Sequence, residues 1–163
     1  MMKYHHIAVF VSDADESLKL YRDVLGFKVV VDTTLPDHPE GPFFDQQTLD
    51  DIFKVKDAKS RMVLLTPPEA DGTFLEFQQP INPPVERKPR ETLRYGHTGI
   101  SELGFEVTDI DDWFKKIKNA GYETQTDYVW EAGGIVRSFL FYDPDGNMVQ
   151  ICENLVDLKE ALA

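Results

Sequence analysis

The sequence predicts an α+β fold in which two βαβββ modules form one cupped, mixed β-sheet pocket. Three observations lead there: an internal repeat, alternating apolar residues at the start of each copy, and a tight turn near the end of the chain. Residues 5–27 read HHIAVFVSDADESLKLYRDVLGF, and residues 101–122 read SELGFEVTDIDDWFKKIKNAGY. Each copy alternates up to a Val-x-Asp, continues in a helical pattern, and ends in Gly plus an aromatic. Val11 and Asp13 match Val107 and Asp109. Gly26-Phe27 matches Gly121-Tyr122.

The first module is read over 1–78. Ile7, Val9 and Val11 alternate and share one face of a strand. The following helix carries the stripe Leu18, Tyr21 and Leu25. Asp13 stands where an N-cap carboxylate helps, and Gly26 where a helix ends. Strands are expected at 28–32, 61–65 and 73–78, the last two joined through Pro67-Pro68 and Asp71-Gly72. An insert of about 33–60 starts Pro-rich. Its apolar Leu49, Ile52 and Phe53 suggest one or two helical turns, either at the rim of a pocket or over a sheet edge.

Residues 79–99 carry Pro80, Pro83, Pro84 and Pro89 and many charges, which predicts an extended linker. The second module is read over 100–156, followed by a tail, 157–163. Leu103, Phe105 and Val107 alternate as in the first copy, and Phe114 and Ile117 mark the helix. Asp109 and Gly121 repeat the cap positions. Strands are expected at 123–128, 138–142 and 148–152. Asp143-Pro-Asp-Gly146 is the turn between the last two.

Composition narrows the function. Of 163 residues, 42% are hydrophobic, with eleven Phe, six Tyr and two Trp, enough for a core and an aromatic-lined pocket. The single cysteine, Cys152, excludes an intrachain disulfide and fits a reducing compartment. Neither a signal-peptide pattern nor a run of ~20 apolar residues is visible, so a cytoplasmic protein with no membrane partner is expected. The net charge of −12 repels phosphate backbones and argues against nucleic acid.

Period-2 alternation also says what points away from the helices. The first strand then offers His6, Ala8 and Phe10, and 73–78 offers Phe74, Glu76 and Gln78. The second module offers Glu102, Gly104 and Glu106, with Met148, Gln150 and Cys152 on the last strand. A solvated sheet face would also be polar. A few polar groups among apolar walls describe a small-molecule cavity better. His6, Glu76, Glu102 and Gln150 are the polar groups expected to converge. Alternation turns His5 away from them, and His97 falls in the flexible Tyr95-Gly-His-Thr-Gly99 stretch, where a bulge would be needed to bring it inward. Cys152 reads as a wall or buried thiol rather than a nucleophile.

The stretches His5–Asp13, Leu20–Gly26 and Phe139–Gln150 together resemble the vicinal-oxygen-chelate superfamily. Its members include glyoxalase I, extradiol dioxygenases, and fosfomycin- and bleomycin-resistance proteins. The resemblance covers nearly the whole chain apart from the insert and linker. It implies the paired βαβββ fold and a divalent metal (Ni, Zn, Mn, Fe or Co) held by His, Glu, His and Glu. Carried over, His6 and Glu76 match, Glu102 replaces a His, and Gln150 replaces a Glu. The resemblance then implies a glyoxalase-like lyase or isomerase acting on an α-oxygenated carbonyl, with Glu76 or Glu102 moving the proton. The donor set is a poor match for the two-His-one-carboxylate iron site of oxygenases, which lowers ring cleavage. The alternative is a metal-free, ligand-sequestering protein of the bleomycin-resistance type, its pocket walled by Phe10, Trp130 and Phe139. In the family, modules pair within a chain or across a homodimer, and the linker permits either.

Overall fold

In the computed structural model, residues 2, 4–37, 41, 43–69 and 73–161 are described, Ala161 by its backbone alone. The Asp71-Gly72 turn expected above lies outside them. The chain divides into two compact units, Met1–Arg87 and Lys88–Ala163.

The first unit contains β1 (His6–Phe10), α1 (Ala14–Leu18), β2 (Lys28–Leu35), α2 (Gln46–Phe53), β3 (Lys59–Thr66) and β4 (Phe74–Asn82). Its sheet runs β1-β4-β3-β2, with β1 parallel to β4 and the other pairs antiparallel. Asp13 caps α1 as expected, accepting from the Asp15 and Glu16 amides. After Leu18 the helix widens over Lys19–Val24, where the Leu25 amide reaches back to the Leu20 carbonyl. Gly26, at φ +84°, ends it. Ile7, Val9, Leu75, Phe77, Val63 and Leu65 share the helix-side face by register. There the buried Tyr21 ring stands edge-on to Phe77, with centroids 5.0 Å apart. Arg61 pins this face at its edge. It pairs bidentately with Asp32 and bonds Asp15 of α1 at 3.0 Å.

The opposite face decides the site. Register places His6, Ala8 and Phe10 beside Phe74, Glu76 and Gln78; on β3, Leu64 lies beside Glu76, Met62 beside Gln78 and Ser60 beside Pro80. The insert, left open between rim and edge, lies over part of this face. Leu49 of α2, only 1% exposed, packs with Leu35, Ala58 and Met62, flanked by Val31, Phe44, Phe53 and Val55. Asp45 caps α2 through the Thr48 amide. Asp50 takes the Ala58 amide at 2.8 Å, which closes the loop behind the helix.

The second unit contains β5 (Glu102–Glu106), α3 (Ile110–Asn119), β6 (Trp130–Ala132), β7 (Val136–Tyr142), β8 (Met148–Asn154) and α4 (Leu158–Ala161). Its sheet, β5-β8-β7-β6, repeats the first topology, with β5 parallel to β8. Two expectations need correction. The strand at 123–128 does not form: Thr124 makes one isolated bridge to Phe141, and the edge strand starts at Trp130. Asp109 does not cap α3 with its side chain. It adopts φ +59°, and its amide donates to Glu153 Oε1 at 2.7 Å. The Asp143–Gly146 turn forms as expected, with the Gly146 amide on the Asp143 carbonyl at 2.9 Å.

Candidate functional site

On the first sheet Glu76 stands in the middle of the face, in register with Ala8 on one side and Leu64 on the other. It is half-buried. The Gln78 amide donates to its Oε1 at 2.9 Å, and Ser60 Oγ donates to Gln78 Oε1 at 2.6 Å. Gln78 is therefore no open pocket wall: at 6% exposure it is a buried strut behind Glu76. Phe10 is 59% exposed and meets Phe53 of the insert edge-on, with centroids 6.1 Å apart. His6 is exposed, and its Nδ1 lies 2.8 Å from Nδ1 of His5. Alternation placed His5 on the far side. It precedes β1, so strand geometry does not bind it, and its ring leans on Phe74 at 5.8 Å.

On the second sheet Glu102 accepts the Tyr95 hydroxyl at 2.7 Å. That bond holds the phenol proton and pushes the Tyr95 pKa up to about 12. Gln150 lies in register with Gly104 and Leu140. A Cβ on Gly104 would stand 3.7 Å from Gln150 Oε1, so the glycine leaves that amide uncovered. Glu106 is exposed at the strand end. Cys152 is half-buried, with Ser138 Oγ 3.7 Å from its sulfur. Burial pushes its thiol pKa up, the opposite of what a nucleophile needs. His97 stays exposed.

Two expected pocket residues belong to the protein interior instead. Phe139 pairs in register with Ile151 and therefore shares the helix side; it is fully buried, 5.1 Å from the Phe114 ring of α3. Alternation on β7 alone could not show this, because the register with β8 sets the face. Met148 is on the expected face but is 1% exposed, packed with Leu140, Tyr142 and the half-buried Trp130. Tyr142 is capped by Arg90 and Arg94, whose guanidinium carbons lie 5.4 and 5.5 Å from the ring centre.

Sequence reasoning did not find Ser60, Phe53 and Tyr95 as site residues. Ser60 was within reach, since it continues the alternation of Met62 and Leu64. Tyr95 had no signal, because it sits in a segment without periodicity.

The sequence model of the Glyoxalase/Bleomycin resistance protein/Dioxygenase superfamily matches residues 3–151. The chain belongs to this superfamily. Among solved structures, a glyoxalase family protein from Bacillus cereus aligns with TM-score 0.79 at 13% identity, covering 96% of both chains. TnmS3, an antibiotic binding protein from Streptomyces sp. CB03234, aligns at 0.60 and 19% identity, over 94% of this chain and 97% of that one. A fosfomycin resistance protein, FosX from Listeria monocytogenes, solved with Mn(II) and a dihydroxypropylphosphonic acid, aligns at 0.59 and 13% identity, over 99% and 98%. These likenesses show the shared two-sheet fold. A curated relative, 4-hydroxyphenylpyruvate dioxygenase of Xenopus tropicalis, is 23% identical over 120 residues; these are 74% of this chain but only 25% of that protein's length.

The donor chemistry does not fit the metal that superfamily members often carry. Glu102 stands where an imidazole is expected and already holds a phenol proton. Gln150 brings a neutral amide in place of a carboxylate. Among the described residues, no three His, Cys, Asp or Glu side chains gather at metal-binding distance.

Proposed function

We propose that this superfamily member binds a small organic molecule without a resident metal ion. The observation that carries this reading is the Tyr95–Glu102 hydrogen bond of 2.7 Å. It places a protein donor on the carboxylate that a metal-dependent lyase or isomerase would need free as ligand or base. The second support is the uncharged Gln150 at the fourth ligand position. A third is the fold shared with an antibiotic binding protein, which suits a cup that holds its ligand rather than transforms it.

Metal analysis tests the reading. The purified chain and Glu76→Gln are each incubated with Ni²⁺, Zn²⁺, Mn²⁺, Fe²⁺ or Co²⁺, desalted and assayed for bound metal. The expected result is less than one-tenth equivalent in both. One equivalent in the wild type that disappears in Glu76→Gln, together with solvent proton exchange on an α-hydroxycarbonyl, would establish the lyase or isomerase reading instead.

A further inference from the structure

We propose that the sheet face around Glu76 is a site for an organic cation with a flat apolar body, and that the α2 insert supplies its aromatic wall. This assignment rests on the metal-independent reading above and adds the ligand class.

The first observation is how Glu76 is held. An amide side chain has one acceptor end and one donor end. Ser60 takes the acceptor end of Gln78 at 2.6 Å, so the donor end faces Glu76 Oε1 at 2.9 Å. Both struts are buried, Ser60 at 0% and Gln78 at 6% exposure. The relay holds one oxygen of the carboxylate in place as an acceptor, because only the donor end of the Gln78 amide is left to face it. It occupies one oxygen only. Glu76 Oε2 receives no hydrogen bond from any described residue.

The second observation is the charge around it. On this face β1 carries His6, Ala8 and Phe10, β4 carries Phe74, Glu76 and Gln78, and β3 carries Ser60, Met62 and Leu64. None of these is Lys or Arg. Among the described residues of these three strands no Lys or Arg therefore shares this face with the half-buried carboxylate, and a bound cation would supply the missing positive charge.

The third observation is the aromatic pair. Phe10 and Glu76 are diagonal neighbours across the β1–β4 register, with Gln78 between them. Phe10 keeps 59% of its surface open although it packs edge-on against Phe53. Phe53 is the last residue of α2, and α2 is anchored by Leu49 in the Leu35, Ala58 and Met62 cluster. An open ring beside a fixed carboxylate suits a ligand whose cationic nitrogen meets the carboxylate while its flat body lies on the ring.

Proflavine, a flat aromatic cation, and pyrene-1-sulfonate, a flat aromatic anion, are the probes, titrated by fluorescence anisotropy. Proflavine is expected to bind at least about ten-fold tighter than the anion, and Glu76→Gln to remove about ten-fold of its affinity. Phe53→Leu keeps an apolar side chain on α2, removes the ring, and is expected to weaken proflavine about three- to ten-fold. Asp127→Asn removes one exposed charge elsewhere and is expected to change nothing. The proposal is overturned by proflavine binding that survives Glu76→Gln. An equal loss in Asp127→Asn, which marks a general charge effect, overturns it too, as does failure of proflavine to bind at all. Metal stoichiometry stays a separate readout. A chain that ignores both dyes yet remains metal-free defeats only the ligand class, whereas a stoichiometric metal lost in Glu76→Gln defeats the reading beneath it.

Discussion

Ser60 on β3 and Gln78 on β4 share a hydrogen bond of 2.6 Å, with both side chains buried. Removing Ser60 leaves Gln78 Oε1 without its donor in the interior, and removing Gln78 leaves Ser60 Oγ only a long 3.4 Å bond to the Arg61 carbonyl. Ser60→Ala and Gln78→Leu are each expected to destabilise the protein by about 1–3 kcal/mol. The double substitution should cost less than the sum of the two, since neither orphan remains. Urea unfolding of the four proteins checks this, and strict additivity would show that the pair is not coupled.

Leu49→Ala should cost about 2–5 kcal/mol, as for other buried Leu truncations. The loss should be local. Amides of 46–58 are expected to exchange with deuterium faster, while those of β7 and β8 in the other unit keep their protection. Uniform loss of protection would mean that α2 is not an independently opening cover.

The Asp32 carboxyl is held below its ordinary range by its hydrogen bond to Arg61, and then by the Arg61 charge, against the opposing effect of burial. A depressed folded pKa stabilises above the unfolded value of about 3.9 and is lost as the pH falls through the folded one. Asp32→Asn should therefore lose stability relative to wild type at a constant level from pH 5 to 8. The gap should close below pH 4. Both partners are partly exposed, so the plateau is expected at about 1 kcal/mol or less. Thermal unfolding across pH 2–8 reads it, and a gap that widens in acid contradicts the pairing.

Tyr95 ionises at about 12 because Glu102 holds its proton. A raised folded pKa contributes stability below the free-tyrosine value of about 10, and loses it as the pH climbs to the folded one. A phenolate absorbance titration should include a late-titrating component that disappears in Tyr95→Phe and so belongs to Tyr95. Glu102→Gln should move it down toward ordinary tyrosine. An unchanged titration would remove the hydrogen bond that carries the proposed function.

The repeated βαβββ order was legible because alternation and helical stripes are local. Val11 and Val107, Gly26 and Gly121 occupy equivalent places that chain geometry alone demands. Asp13 announced its cap the same way. The faces of β1, β4, β5 and β8 followed from counting by two, and with them the positions of His6, Glu76, Glu102 and Gln150.

What these positions do was decided by residues distant in sequence. Phe139 moved to the interior because its pairing with Ile151, set between strands, overrides any count along β7. Met148 disappeared beneath Trp130 and Tyr142 by packing. Tyr95 reached Glu102 from a segment with no period, and Phe53 reached Phe10 from an insert of open placement. The sequence by itself determined which strands and helices form and which residues share a strand face, because those depend on neighbours one to four positions away. Only the tertiary structure decided which carboxylate oxygens are taken and which remain open, because a hydrogen bond depends on the register between strands and on where loops come to rest.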